Sequence, residues 1–311
     1  MEVYPLSAKY TMIVGSIALD RVATPEAQSP LVLGGAASYA SVASSYFAPT
    51  RLVGIVGRDF PAEHIALYKS HQIDIDGLET DEARKTFFWS GRYRAKFAGR
   101  DTLDLGLNCF EKFSPTIPAS YRSTPYVMLG AIQPSLQLHV IEQMNTRPKR
   151  PFFLADTFDH WIKTAHDDVV QVLRKIDMLV INDEEAELLT GEDNPYRAGP
   201  ALRKMGPSIV VIKRGAYGAL LFHLAGHFVI PAFPIEKLVD PTGAGDSFAG
   251  ALIGYMAVTN RTDFGALKKA LAFASATASF TCESFSVKAL SDAGRLEIDK
   301  RFRALVNMTR F

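Results

Sequence analysis

The sequence predicts an α/β protein: a mainly parallel sheet covered by helices on both faces, with a few strands set apart from it. Three observations predict it. Short apolar runs of strand length recur along the 311 residues. Longer helical patterns separate them. One stretch, Thr86 to Ala95, alternates bulky and polar residues with no helical signature.

Taken in order, Tyr10 to Gly15 reads as the first strand, and Gly34 to Phe47, rich in Ala and Ser, as a helix packed closely on a sheet. Arg51 to Val56 is the next strand. Tyr126 to Leu129, Pro151 to Ala155, Met178 to Ile181 and Ser208 to Ile212 follow as strands. Helical patterns at Leu136 to Met144, Asp167 to Lys175 and Glu184 to Thr190 lie between them. Strands alternating with helices imply right-handed crossovers and a sheet buried on both sides. Thr86 to Ala95 reads as strands, with a hairpin to the segment after it, forming a lid over the edge of the large unit; an ordinary edge strand is the other reading.

The bulk numbers exclude several classes. Formal net charge is +1 and 22% of residues are charged, which gives no basis for nucleic acid or a membrane surface as partner. No apolar run has the length of a membrane span. Cys109 and Cys282 are isolated, which suggests a reducing compartment, the cytoplasm, and no disulfide framework. The opening residues, Met1 to Tyr10, are mixed in character and do not read as a leader.

The chemistry concentrates in Asp240-Pro-Thr-Gly-Ala-Gly-Asp-Ser-Phe-Ala-Gly250 and the apolar residues after it. Pro241 and Gly243 make a turn, and a helix of small residues continues from about Asp246. Gly243, Ala244 and Gly245 therefore sit at a helix N-terminus, where unpaired N–H groups and the macrodipole favour an anion. A carboxylate at the mouth of such a site repels phosphate but is well placed to take a proton from an attacking hydroxyl. Phosphoryl transfer needs an aligned nucleophile, a base and compensated charge, and Asp246 supplies the base. The bland alternative is a helix N-cap at Asp246 with glycines in a tight turn. No Walker A lysine follows the glycines, and there is no dinucleotide fingerprint near the N-terminus.

At these residues the sequence resembles the ribokinase-like (PfkB-type) carbohydrate kinase family. Asp240 to Gly250 resembles its C-terminal signature, and Gly34-Gly35-Ala-Ala-Ser-Tyr-Ala40 its di-glycine motif. Gly15 to Asp20 resembles the first strand and the acid after it. Asn182-Asp-Glu-Glu185 resembles the Asn-x-x-Glu motif, and Lys213 to Gly218 the glycine turn beneath the nucleotide. The elements occur in the family's order over nearly the whole chain. The resemblance implies a Rossmann-like three-layer αβα unit spanning residues 1–311, with a β lid drawn from about 15–35 and 84–112. It implies ATP and Mg2+, and a sugar or nucleoside acceptor.

Carried over by position, Asp246 is the base and Gly243, Ala244 and Gly245 the anion hole. Asp20, Gly34 and Gly35 meet the acceptor hydroxyls, with Tyr39 beside them. Asn182 and Glu185 serve the phosphates and the metal, Glu185 through water. Lys213, Gly215 and Gly218 line the nucleotide, and Ser275 lies on the helix flanking its base. Asp240, Thr242 and Ser286 occupy the region of a monovalent cation such as K+. From the lid, Trp89 and Arg92 are acceptor candidates, and read equally as parts of a solvated strand face. Two residues depart from the family pattern: Tyr39 and Ser275 stand where Asn is usual, which puts ordinary ribose or fructose recognition and the usual purine contacts in doubt. A homodimer through the lid follows from the family. A nucleoside kinase and a non-catalytic sugar-phosphate or nucleotide-binding regulator remain as alternatives, and an intact Asp246 argues against the regulator.

Overall fold

The computed structural model describes residues 8–97, 99–145 and 150–310. The first seven residues of the stretch read as no leader lie outside them.

Among the described residues, thirteen strands form two sheets. They are β1 (Thr11–Val14), β2 (Ala18–Ala23), β3 (Val32–Gly34), β4 (Thr50–Gly57), β5 (Asp74–Asp81), β6 (Phe87–Tyr93), β7 (Arg100–Gly106), β8 (Tyr126–Leu129), β9 (Phe152–Ala155), β10 (Met178–Asn182), β11 (Ile209–Lys213), β12 (Ala219–His223) and β13 (Gly226–Ile230). The large sheet has the order β13-β12-β11-β10-β9-β8-β1-β4-β5. From β5 to β11 every pairing is parallel, and β12 and β13 close that end as an antiparallel meander. β1 and β8 are buried along their whole length, and β11 over all but its last residue, as expected when helices cover both faces. Two hydrophobic clusters, one on each face, make the layers of a three-layer αβα fold.

On one face, the helix Ala244–Thr259 runs between the helices Ala36–Ser45 and Phe264–Thr281. Small residues set the spacing. A Cβ on Gly250 would lie 2.2 Å from the Ala40 carbonyl oxygen, so the two helix backbones touch at this point.

The second sheet has the order β3-β2-β6-β7 and draws on two separate parts of the chain. The β6–β7 hairpin matches the strands expected after Thr86. One expectation changes: Asp20 does not sit in a loop following the first strand. The chain leaves β1 at Gly15, bends, and enters the small sheet, so Asp20 is the third residue of β2.

The chain order sets where a ligand can go. From β1 the strands step outward to β4 and β5, then return to β8 on its other side. Neighbouring connections thus diverge beside β1, opening a crevice at the carboxyl ends of the parallel strands. Asp156 follows β9, Asn182 ends β10 and Lys213 ends β11, all on this edge. The small sheet, entered straight from the end of β1, stands over the same edge.

Candidate active site

The turn before the helix Ala244–Thr259 is held from several sides. The Thr242 N–H donates to Asp240 Oδ1 at 2.9 Å, and the Ala244 N–H donates to the Pro241 carbonyl at 3.1 Å. Gly243 is the N-cap with φ of 77°, in the left-handed region, and the ring of Tyr39 lies flat beneath it. A Cβ at Gly243 would come within 2.4 Å of three ring atoms. The helix starts at Ala244, two residues earlier than expected, because the left-handed glycine directs the chain straight into the first turn. The Ala244 N–H is occupied by Pro241, while those of Gly243, Gly245 and Asp246 have no backbone acceptor. They face outward at the positive end of the helix, an arrangement that suits an anion.

Lys213 approaches this turn from the end of β11. Its Nζ would be 3.1 Å from a Cβ on Gly245, and it pairs with Asp156 Oδ2 at 2.7 Å. Burial works against the ammonium, but attraction from Asp156 and Glu185 outweighs it and leaves its pKa raised. Lys213 thus lies beside the N–H donors of this turn. Gly215 and Gly218 form the turn that follows, both with positive φ.

Asp246 lies in the first turn of its helix. Burial, then repulsion from Asp156, pushes its carboxyl up to about 6. Lys213 and Arg100 act in the opposite direction. A carboxyl raised toward neutrality beside such N–H donors has the properties a general base needs.

Asn182 and Glu185 form a reciprocal capping box at the start of the helix Asp183–Thr190. The Glu185 N–H donates to Asn182 Oδ1 at 2.7 Å, and the Asn182 N–H donates to Glu185 Oε2 at 3.1 Å. The spacing that resembles the Asn-x-x-Glu motif is therefore also the spacing of a helix cap. Burial and repulsion from Asp156 raise the Glu185 pKa. Among the described residues no group of three or more His, Cys, Asp or Glu is arranged to hold a metal. A Mg2+ ion here would take most of its oxygen ligands from phosphates and water, which suits its octahedral demand and slow dehydration.

At the acceptor end, Gly34 leaves the space that the Asp20 carboxylate fills, since a Cβ there would fall 1.9 Å from Asp20 Oδ2. The Gly35 backbone N–H faces the Asp20 carboxyl and acts to hold its pKa down. Burial, then repulsion from Asp240, pushes the Asp20 carboxyl up to about 7. Tyr39 is buried, and Asp20, Asp240 and Asp246 all act on its phenol. Asp240 is also buried, and its Oδ2 has no hydrogen-bond partner. A buried carboxylate oxygen without a donor fits a cation. Thr242 lies beside it, while the Ser286 hydroxyl is taken by the Leu33 carbonyl at 2.5 Å.

Of the two acceptor candidates on the small sheet, Trp89 pairs in register with Asp20 and shares its face. Arg92 is three residues further along β6, exposed, and on the opposite face. The cation on the Asp20 face is Arg100. It pairs in register with Tyr93, and its guanidinium lies 5.3 Å from the Trp89 ring centroid and 5.9 Å from that of Phe158. Its charge lowers the pKa of Asp20, Asp240 and Asp246. Ser275 is buried; it donates to the Pro231 carbonyl at 2.9 Å and accepts from the Phe233 N–H at 3.1 Å. Its hydroxyl thus fixes the chain leaving β13.

Residues 127–293 match the model of the pfkB family of carbohydrate kinases. A cytidine kinase of Thermococcus kodakarensis is 29% identical over 249 residues, 78% of this chain and 87% of that protein. A nucleoside kinase of Methanothermobacter thermautotrophicus is 30% identical over 279 residues, 87% of this chain and 84% of its own. Among solved structures, a putative ribokinase II from E. coli superposes with a TM-score of 0.80 at 19% identity, covering 95% of this chain and 99% of that one. The nucleoside kinase of Burkholderia thailandensis, solved with inosine, gives 0.78 at 17%, covering 96% and 99%. Those two likenesses show the fold.

Proposed function

Since this chain belongs to the PfkB family of carbohydrate kinases, we propose that it transfers the γ-phosphoryl group of ATP to an alcohol of a sugar or nucleoside, with Asp246 as the base. The observation that carries this reading is the meeting, in one helix turn, of N–H donors without a backbone acceptor and a carboxyl pushed up to about 6.

In the reaction, Asp20 accepts hydrogen bonds from acceptor hydroxyls and fixes which one faces Asp246. Asp246 takes the hydroxyl proton as the new O–P bond forms and the bond to ADP breaks. The Gly245 and Asp246 N–H groups, with Lys213, stabilise the charge on the transferring oxygens. Glu185, through water, would help hold Mg2+ brought in with the nucleotide, and the ion would supply positive charge against that of the phosphates. The orphaned Asp240 Oδ2 supports a K+ site shared with Thr242. The small sheet, with residues about 15–35 and 84–112, acts as a lid on one catalytic unit spanning residues 1–311. Its edge strand β7 exposes Leu103 and Leu105, and Leu107 follows, an apolar edge that supports a homodimer. A reaction fed by ATP, and two unpaired cysteines, fit the cytoplasm.

Within this reading a nucleoside is the favoured acceptor. Trp89 and Phe158 approach one guanidinium from different parts of the fold and offer planar surfaces on the side of the small sheet that carries Asp20. The curated relatives named above are a cytidine kinase and a nucleoside kinase.

The test is ADP release from Mg-ATP over ribose, fructose, 2-keto-3-deoxygluconate, cytidine, adenosine and inosine, with Asp246→Asn as blank. The expected result is one acceptor class turned over by the wild type, with the variant slower by about 10²–10⁴. Near-normal turnover in the variant sinks the role of Asp246. No turnover with any acceptor, while ATP still binds, sinks the kinase reading.

A further inference from the structure

The small sheet and the anion-binding turn are joined by a direct polar contact between side chains. The Tyr93 phenol lies 3.0 Å from Thr242 Oγ1, across 149 residues of chain. Tyr93 is the last residue of β6, and Thr242 immediately precedes the left-handed Gly243. Both ends of the contact are fixed by their surroundings. The Thr242 backbone is held by Asp240, and Gly243 rests on the Tyr39 ring. On the other side, the Tyr93 ring packs against Phe97, and Arg100 is its partner across the β6–β7 ladder. Arg100 in turn lies over Trp89 and Phe158, the rings proposed above to face the acceptor. A second contact, Ser286 Oγ to the Leu33 carbonyl, ties β3 to the loop beside Asp240. The small sheet is thus fastened on the turn that carries the anion-binding donors.

We propose that Tyr93 is a positioning residue that couples acceptor binding under the small sheet to the geometry of the anion-binding turn. An acceptor packed against Trp89 and Phe158 bears on Arg100. Arg100 and Tyr93 move as one rung of the ladder, and the Tyr93 phenol transmits that position to Thr242. The hydroxyl of Thr242 is one peptide away from Gly243, so its placement sets where the Gly245 and Asp246 N–H groups point. Without the phenol oxygen the sheet still forms, since Tyr93 contributes to pairing through its backbone. What is lost is the link. This inference rests on the kinase reading for its catalytic consequence but not for its structural one, and the two fail separately.

The experiment uses the whole chain and two conservative variants, Tyr93→Phe and Thr242→Val, alone and together. Amide hydrogen exchange of the free protein is read first, because it needs no acceptor. Tyr93→Phe is expected to speed exchange both in 87–106 and in 240–246, leaving β8 to β11 unchanged, with Thr242→Val giving the same pattern and the double variant no more. Faster exchange confined to 87–106, or none, overturns the coupling. Kinetics with Mg-ATP and the fastest acceptor of the panel above are read second. Each single variant is expected to lose several-fold to about tenfold in kcat, with the KM for ATP unchanged. The double variant should lose no more than the worse single one. Losses that multiply, or a loss that falls on the KM for ATP, overturn it. A wild type silent on the whole panel would refute the kinase reading, while the exchange result would still decide the link.

Discussion

Gly243→Ala concentrates the physics of the site in one methyl group. The position has φ of 77°, which a side chain disfavours by roughly 1–2 kcal/mol. The new Cβ would also stand 2.4 Å from Cγ, Cδ1 and Cδ2 of Tyr39, a ring that is only 2% exposed. Ordinary contact begins near 3.4 Å, so ring and turn must separate by about 1 Å. Overpacking of that kind costs about 1–3 kcal/mol, and the sum is about 2–5 kcal/mol. Gly191→Ala provides the control. Gly191 has φ of 71° but nothing within 4 Å of a Cβ, so it isolates the backbone part. The gain from a less flexible unfolded chain is common to both variants and cancels. Urea unfolding followed by far-UV circular dichroism should place Gly243→Ala below Gly191→Ala by about 1–3 kcal/mol. Activity should fall in the first and persist in the second. Equal stability in the two would refute the contact between Tyr39 and the turn. Full activity in Gly243→Ala would refute the turn's role.

Four further outcomes follow from the charges. Asp246 must be ionised to accept a proton, so kcat/KM should fall about tenfold per pH unit below a limb near 6, well above an ordinary aspartate; a limb near 4 would contradict this. Stability should move in the opposite sense. Asp20 and Asp246 hold protons more tightly folded than unfolded, so ionising them works against the fold, and stability declines as pH rises from about 4 through about 7. Asp20→Asn should flatten that decline in a melting series, and an unchanged slope would count against the burial of Asp20. Lys213→Met leaves the buried Asp156 without its partner, which should destabilise the protein by about 3–5 kcal/mol and abolish ATP binding by calorimetry. Turnover at equal ionic strength should be higher in K+ than in tetramethylammonium, and Asp240→Asn should remove the difference; identical rates in both salts would dismiss the cation.

Much of the fold was legible because both of its periods are strong. Buried parallel strands read as unbroken apolar runs, and the glycine turn with an acid after it has few structural alternatives. Parity on the lid could not be read in the same way. Arg92 and Arg100 are equally basic in sequence, and which one faces the cleft depends on strand register. That register shifts between Ser90 and Gly91, and a turn with positive φ at Lys96 and Phe97 precedes Arg100. The ion pair of Lys213 with Asp156 was hidden for another reason. The two lie at the ends of β11 and β9, with β10 between them, so only the strand order brings them together. Asn182 and Glu185 were legible twice over, since one spacing serves both the cap and the motif. The early helix start and the Ala244 N–H turned to Pro241 depend on a single left-handed residue, and composition does not reveal its φ.

The small sheet has a history as well as a position. Its central pairing joins β2 to β6 in parallel, with β4 and β5 of the large sheet made in between. During synthesis, β2 and β3 must wait as a bare hairpin until the chain has laid down β4 and β5 and come back. Contacts so distant in sequence are entropically late. Deleting 87–106 would not remove the sheet cleanly but would leave β2 with an unsatisfied edge, a template for pairing with other chains. The small sheet therefore closes only after β4 and β5 are in place, and it is the part expected to open first when the protein breathes.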